Sequence, residues 1–172
     1  MSKKIKSIEY ASFYQPYIDQ INKNDKSLIE NLEDSFQKAF KVLNTMDKEK
    51  QLYRYANGKW TIKELVQHII DAERVFNYRA LRFARNDETD LSGFDENDFV
   101  TASNANQRDF KELLEEFSVL RKSTIFLYKS FTENTFLLQG KASGSVMSVR
   151  ALGYITSGHL LHHLQIIKSI YL

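Results

Sequence analysis

The chain contains no cysteine, one proline and six glycines among its 172 residues. Without cysteine, disulfides, thiolate metal ligands and a cysteine nucleophile are all excluded, so any thiol used in chemistry must come from a second molecule. The scarcity of proline and glycine favours long, uninterrupted helices. Strict alternation of apolar and polar residues is sustained nowhere, which gives a sheet little support.

An excess of charge is also lacking, since 24 lysines and arginines nearly balance 22 acidic residues. A net charge of +2 creates no overall field that would recruit nucleic acid or an anionic membrane, so neither is expected as a partner. No signal-peptide pattern is present, and no apolar run approaches membrane-spanning length. We therefore expect a cytoplasmic protein that acts on a small molecule.

Four stretches with helical periodicity organise the chain. They run from about Ser27 to Met46, from Thr61 to Arg85, from Asn106 to Phe131 and from Val146 to the C-terminus. An aromatic lead-in within residues 1–23 is expected to pack on the bundle, with a short helix beginning near Pro16. This pattern predicts an all-α four-helix bundle, with residues 1–172 forming a single domain.

Two helix starts carry a recognisable signal. Ser27 with Glu30, and Thr61 with Glu64, have the spacing of a capping box. In this motif the hydroxyl of the first residue and the carboxylate of the second satisfy free backbone N–H groups at the helix start.

The connection between the second and third helices, residues 86–105, is unusually long. Antiparallel neighbours are commonly joined by about 2–8 residues. About twenty extended residues at ~3.3 Å each can span a helix of ~35 Å, which would return the chain to the same end of the bundle. We favour such a crossover, with a lid over a site as the alternative use. A second loop is expected at residues 132–145.

Three of the four histidines lie close together, within Gly158–Gln165. His159 and His163 are one turn apart on an apolar helix face, and this spacing is used by helical zinc sites. The fourth histidine, His68, lies on the core-facing stripe of the second helix. Because an unpartnered imidazole in apolar surroundings costs free energy, these three predict a metal site. His162 points to the flank and is interpreted as a bystander.

Three neutral histidines without a fourth protein ligand are typical of catalytic sites, where water or substrate completes the coordination. Asp71 and Glu64 each lie one turn from His68 and are candidate acceptors for an imidazole N–H, or general bases; a solvated carboxylate is the alternative for each. Arg79 lies three turns from His68 on the same face. It could bind an anionic part of a substrate, but an ion pair with the acidic segment 86–105 is favoured.

Several segments resemble the DinB-like superfamily and occur in the order of that family. They are Tyr53–Leu65, His68–Phe76, Arg79–Arg85, Phe94–Asp98, Ser148–Leu152 and Gly158–His163. The resemblance extends from the first long helix to the C-terminus. It implies a four-helix bundle of up-down-down-up topology, often homodimeric. It also implies a divalent transition metal, zinc or nickel, held by His68, His159 and His163.

Characterised members of that family include S-transferases that use bacillithiol or mycothiol, a maleylpyruvate isomerase and proposed hydrolases. The resemblance therefore implies a metal-dependent enzyme in which a bound water or a cosubstrate thiol acts as nucleophile. A low-molecular-weight thiol would be the cosubstrate of a transferase, whereas a hydrolase would need none. The alternative is a non-catalytic metal-binding or interaction bundle in a stress response.

Overall fold

The computed structural model describes residues 5–172. Its helices and strands are α1 Gln15–Ile21, α2 Leu28–Leu43, α3 Lys48–Gln51, α4 Ile62–Ala84, α5 Glu96–Ala102, α6 Phe110–Lys129, α7 Glu133–Leu137, β1 Gln139–Ala142, β2 Ser145–Ser148 and α8 Val149–Ile166. The long helices α2, α4, α6 and α8 are the four that the sequence predicts, so the all-α bundle is confirmed. Residues 1–4 of the lead-in lie outside the described residues. Within residues 5–172, no helix combines the length and apolarity needed to cross a bilayer.

Side-chain caps fix where the long helices begin. Both predicted capping boxes are formed, by Ser27 with Glu30 on α2 and by Thr61 with Glu64 on α4. Helix α6 begins a few residues later than predicted, because the carboxylate of Asp109 accepts hydrogen bonds from the second and third backbone N–H groups of the helix. A cap of this kind is worth about 1 kcal/mol.

The order of contacts shows that α4 and α6 run parallel. Going along α4, the residues Thr61, Gln67, Glu73 and Asn77 bond in turn to Asn106, Arg108, Arg121 and Thr124. Residue numbers rise on both helices, so the intervening segment returns the chain along the length of the bundle. The predicted crossover is therefore confirmed.

Two other pairs of neighbouring helices, α2 with α6 and α4 with α8, are antiparallel. On α2, Phe36 packs against Phe117 of α6, while Glu33, nearer the start of α2, approaches Lys129 at the end of α6. Helix α8 contacts α2 and α4, and it opposes α4, since the hydroxyl of Tyr171 just beyond α8 donates to the Trp60 carbonyl just before α4. These directions give the predicted up-down-down-up topology.

Two segments predicted to be irregular contain regular structure. Helix α5 lies within the crossover and is capped by Asp95. In residues 132–145, α7 is followed by an antiparallel hairpin in which Ala142 pairs with Ser145. Its two-residue turn places Ser143 and Gly144 at positive φ, 50° and 75°, as a tight hairpin turn requires. Because β2 extends to Ser148, α8 begins later than predicted.

Buried apolar side chains form two clusters, and the predicted metal ligands lie near their boundary. Along α4, Ile69 and Ile70 belong to one cluster and Ala72 to the other. Along α8 the clusters change between Ile155 and Leu160. His68 and His159 lie close to these two boundaries, so the fold brings them together inside the bundle rather than on its surface.

A buried ion pair ties the N-terminal segment to α8 and predicts acid sensitivity. Glu9 accepts hydrogen bonds from Arg150 and Ser148. Burial alone would raise the pKa of Glu9, but these bonds bring the pKa below its ordinary 4.5. A folded-state pKa below the unfolded one stabilises the protein above that value. We expect the free energy of unfolding to fall as the pH drops below about 4.5.

Urea denaturation between about pH 6 and pH 3 measures this loss. Glu9→Gln is expected to be less stable than the wild type near neutral pH but to lose less stability on acidification, because it has no carboxylate to protonate at this position. If the free energy of unfolding fell equally with pH in the two proteins, Glu9 would not be the source of the acid sensitivity.

Candidate metal centre

The three predicted ligands converge inside the bundle. His159 Nε2 lies 3.0 Å from His68 Nε2 and 3.0 Å from His163 Nε2. One ring nitrogen from each residue lies within 4.8 Å of the other two, and all three side chains are buried. Antiparallel packing of α4 against α8 therefore joins residues that are 91 positions apart in sequence.

Hydrogen bonds between the imidazole rings cannot pair all three of these nitrogens. A nitrogen of a neutral imidazole is either a donor or an acceptor, and His159 Nε2 faces two nitrogens at once, so it completes one hydrogen bond at most. Nitrogens roughly 2.0–2.1 Å from one ion lie about 2.9 Å apart at a right angle and about 3.3 Å apart at the tetrahedral angle. The observed separations match this range, and the donor set fits a divalent transition metal.

Burial keeps these side chains neutral. It lowers the pKa of His68 from 6.5 to about 4. It also lowers the pKa of His159 and of His163 well below the usual range, and the neighbouring imidazoles add to the effect. Near pH 7 each ring therefore presents a lone pair without first losing a proton, which is the form that a metal binds.

Aromatic packing orients the imidazoles. The ring of Trp60 lies 4.7 Å from that of His68, and Tyr17 meets His159 edge-on at 5.4 Å between centroids. His163 Nδ1 is buried and has no hydrogen-bond partner within residues 5–172. Packing rather than a hydrogen bond to this nitrogen therefore sets the orientation of the His163 ring.

Helix α1 reaches the site because α8 has a glycine beside His159. A Cβ atom on Gly158 would lie 2.2 Å from the carbonyl oxygen of Tyr17, far closer than atoms can approach. Any larger residue at this position would push α1 away and move Tyr17 off the histidines. The close approach explains why glycine precedes the histidine pair.

The other candidate residues lie outside the cluster. His162 is partly buried, and its ring contacts Tyr17 at 5.3 Å. Glu64 is occupied in capping α4, and Asp71 accepts a hydrogen bond from the Gln67 amide. Among the described residues, neither carboxylate bonds to an imidazole or lines the cavity beside the cluster. Their assignment as imidazole acceptors or general bases stays a prediction.

A cavity of about 280 Å³ opens beside the cluster. Its lining consists of Phe13, Tyr14, Tyr17, Trp60, His68, Ala72, Phe76, Arg79, Phe94, Glu96, Asn97, Ser143, His159 and His163. All three imidazoles thus face a space that a small molecule can enter. Crossover residues contribute to its wall, so this segment both reconnects the bundle and covers the site.

A second cavity, of about 250 Å³, adjoins the first. Its lining consists of Tyr55, Gly58, Lys59, Trp60, Leu65, Asn97, His163, Ile166 and Tyr171. The two cavities have Trp60, Asn97 and His163 in common. They therefore meet at His163, one member of the histidine cluster.

Arg79 does not form the ion pair that the sequence favours. Its side chain is 2% exposed and lines the first cavity. Its Nη2 atom donates to Ser143 Oγ at 2.8 Å and to the Ser92 carbonyl at 3.4 Å. Within residues 5–172 no carboxylate pairs with it. The predicted ion pair with segment 86–105 is wrong, because the segment offers Arg79 a backbone carbonyl instead.

Fold and site together define a class, that of up-down-down-up helical bundles with three histidines facing a cavity. The DinB superfamily model matches residues 31–167, and the chain belongs to this superfamily. No protein with curated annotation is significantly similar to it.

Solved structures share the fold. YfiT from Bacillus subtilis, described as a probable metal-dependent hydrolase with an unusual four-helix bundle topology, has a TM-score of 0.72 at 17% identity, over 83% of each chain. The mycothiol-dependent maleylpyruvate isomerase has a TM-score of 0.66 at 12% identity. That match covers 79% of this chain and 57% of the isomerase. At these identities the likeness establishes the fold alone.

Proposed function

We propose that this protein is a metal-dependent enzyme that acts on a small molecule, with His68, His159 and His163 holding a divalent transition metal, zinc or nickel. One observation carries the proposal: three buried imidazole nitrogens converge within 4.8 Å beside a cavity. Structural zinc sites have four protein ligands, whereas catalytic ones leave a position for water or substrate. Three histidines facing a cavity correspond to the catalytic arrangement.

In the proposed reaction, the metal ion and the residues of the protein have different roles. A divalent metal in this position lowers the pKa of a bound water or thiol and so supplies a nucleophile at neutral pH. The chain contributes neutral ligands, an apolar enclosure and a cavity that positions the second reactant. Tyr17 and Trp60 pack against the imidazoles, and their apolar rings would strengthen electrostatic interactions at the site by lowering the local dielectric constant.

We favour thiol S-transfer over hydrolysis. A transferase must seat two organic molecules, a thiol and an acceptor, and two cavities meet at His163. The chain has no cysteine, so the thiol would be a low-molecular-weight cosubstrate. Hydrolysis is the second candidate, supported by the description of YfiT as a hydrolase. A non-catalytic metal-binding bundle is the alternative to both.

We also propose a cytoplasmic homodimer. Val119 and Phe126 are both exposed and lie seven residues apart on α6, so they share one side of that helix and offer a second copy an apolar surface. Sedimentation equilibrium of the wild type and of Phe126→Glu tests the dimer. A monomeric wild type, or a dimer that the variant leaves intact, would rule out this surface.

Metal content is the first test of the proposed function. Untagged protein, and protein stripped and reconstituted with zinc or nickel, are expected to hold about one equivalent per chain by elemental analysis. Less than about half an equivalent of any transition metal, unchanged by reconstitution, would rule out the metal-dependent enzyme.

Thiol dependence separates the two reaction types. Reconstituted protein is incubated with 1-chloro-2,4-dinitrobenzene and, in turn, bacillithiol, mycothiol, glutathione or coenzyme A, and thioether formation is followed by absorbance. A transferase is expected to accelerate the reaction with one of these thiols, and metal-free protein serves as control. Turnover of an ester such as p-nitrophenyl acetate without any thiol, together with no thiol-dependent rate, would favour the hydrolase instead.

A further inference from the structure

We propose that Arg79 binds the carboxylate of the substrate, at the end of the cavity remote from the three histidines. That the bound molecule is a substrate rests on the proposed function, which places the reaction at the three histidines. Binding of the carboxylate itself is independent of the metal and can be measured without it.

The partners of Arg79 set it apart from the other arginines buried in residues 5–172. Arg121 forms a two-point ion pair with Glu73, at 2.9 Å and 2.8 Å, and Arg150 pairs with Glu9. Arg79 contacts two neutral oxygens, both through Nη2. Its Nε and Nη1 atoms, which carry three of the five N–H donors, have no acceptor in the described part of the chain.

The free donors of Arg79 face open space in the cavity, because neither Nε nor Nη1 is among the fully buried atoms that lack a partner in residues 5–172. A charge that is largely removed from water is destabilised, and an opposite charge with good hydrogen-bond geometry offsets that cost. Arginine keeps its charge in proteins, so it cannot escape the cost by releasing a proton. The protein supplies a carboxylate to Arg121 and to Arg150. For Arg79, which lines a cavity, a ligand can supply it.

The acidic segment does not fill this role. Asp90 lies near Arg79, where both line another open cavity, but its carboxylate pairs with Lys141 Nζ at 2.6 Å. Glu96 lines the cavity beside the histidines and is exposed to solvent. Its negative charge opposes the entry of a doubly charged group more than that of a singly charged one. The site therefore favours a carboxylate over a phosphate dianion.

The cavity floor indicates the shape of the ligand. Four residues of α4 follow one another along it, namely His68, Ala72, Phe76 and Arg79. At 1.5 Å per residue, the backbone of Arg79 lies about 16 Å along the helix axis from that of His68. Ala72 and Phe76 make the interval apolar. We infer a substrate with a carboxylate at one end, an apolar middle, and the reacting group at the other end.

A pair of probes of equal shape tests the charge preference. Hexanoate and its neutral amide, hexanamide, are titrated by calorimetry into the full-length metal-free chain, in which no ion competes for the carboxylate. A charge-assisted hydrogen bond is stronger than a neutral one, so hexanoate should bind at least about tenfold more tightly, which corresponds to about 1.4 kcal/mol. Hexanoate binding no tighter than hexanamide, including no binding of either up to about 10 mM, would overturn the proposal.

Variants assign the preference to Arg79. Arg79→Gln should lose the preference for hexanoate while binding hexanamide as the wild type does, and Arg79→Lys should keep part of it. Arg85→Gln removes an exposed charge at the end of the same helix and should behave as the wild type. A preference that persists in Arg79→Gln would overturn the assignment, and so would hexyl phosphate binding more tightly than hexanoate.

Metal content, measured on the same wild-type samples, separates this proposal from the proposed function. Metal-free chain that shows the Arg79-dependent preference but takes up no metal on reconstitution would refute the enzyme and leave the carboxylate site standing. Chain that binds one metal ion but shows no preference would refute the carboxylate site alone.

Discussion

Replacing His163 with alanine is expected to weaken metal binding by roughly 100-fold or more, whereas replacing His162 should change it by less than about threefold. Four-ligand zinc sites contribute about 10–16 kcal/mol, so one ligand accounts for about 3 kcal/mol, and each 1.4 kcal/mol is a factor of about ten. His163 Nε2 faces the cluster at 3.0 Å from His159 Nε2. His162 has no nitrogen in the cluster.

Competition with a chromophoric chelator measures both affinities on the same day and in the same buffer. The two variants are a matched pair, because each removes one imidazole from adjacent positions of α8. Circular dichroism of the metal-free proteins checks that both variants are folded. Equal losses in the two variants would mean that the ligands are wrongly assigned on this helix.

The sequence predicts the parts of the site that depend on helical phase. His159 and His163 are one turn apart, so any straight helix places them together, and His68 lies on a stripe that must face the core. The crossover was predicted from the length of segment 86–105 alone, because a chain that long can span the bundle. Each of these inferences needs only the regular geometry of a helix or an extended chain.

What the sequence could not predict depends on tertiary placement. Tyr17, Asn97 and Ser143 reach the cavity from the lead-in, the crossover and a hairpin turn, and no periodic pattern fixes where such segments lie. The phase of Arg79 was predicted correctly, but its partner was not. The six acidic residues in segment 86–105 favoured an ion pair. In the structure, however, this segment offers Arg79 a backbone carbonyl, and the carboxylate of Asp90 pairs with Lys141.

Arg121→Met is expected to destabilise the protein by about 3–5 kcal/mol. The Arg121 guanidinium joins three helices: it pairs with Glu73 on α4, donates to the Leu32 carbonyl on α2 at 2.6 Å, and belongs itself to α6. Removing it leaves the Glu73 carboxylate buried with Thr124 as its remaining hydrogen-bond donor. An uncompensated buried charge is among the costliest defects that a point mutation can create.

Urea denaturation of metal-free protein measures the loss without the stability that a bound metal adds. The double variant Glu73→Leu with Arg121→Met should recover much of it, because two apolar side chains leave no charge unpaired. No recovery would mean that the damage comes from packing rather than charge.

For Arg79→Gln, which also replaces a buried arginine, we expect a much smaller loss of stability than for Arg121→Met. Among the described residues Arg79 has no carboxylate partner, so replacing it leaves no buried negative charge unpaired. Its replacement should therefore cost far less stability than that of Arg121. If stability fell equally in both variants, Arg79 would be a structural residue rather than part of a binding site.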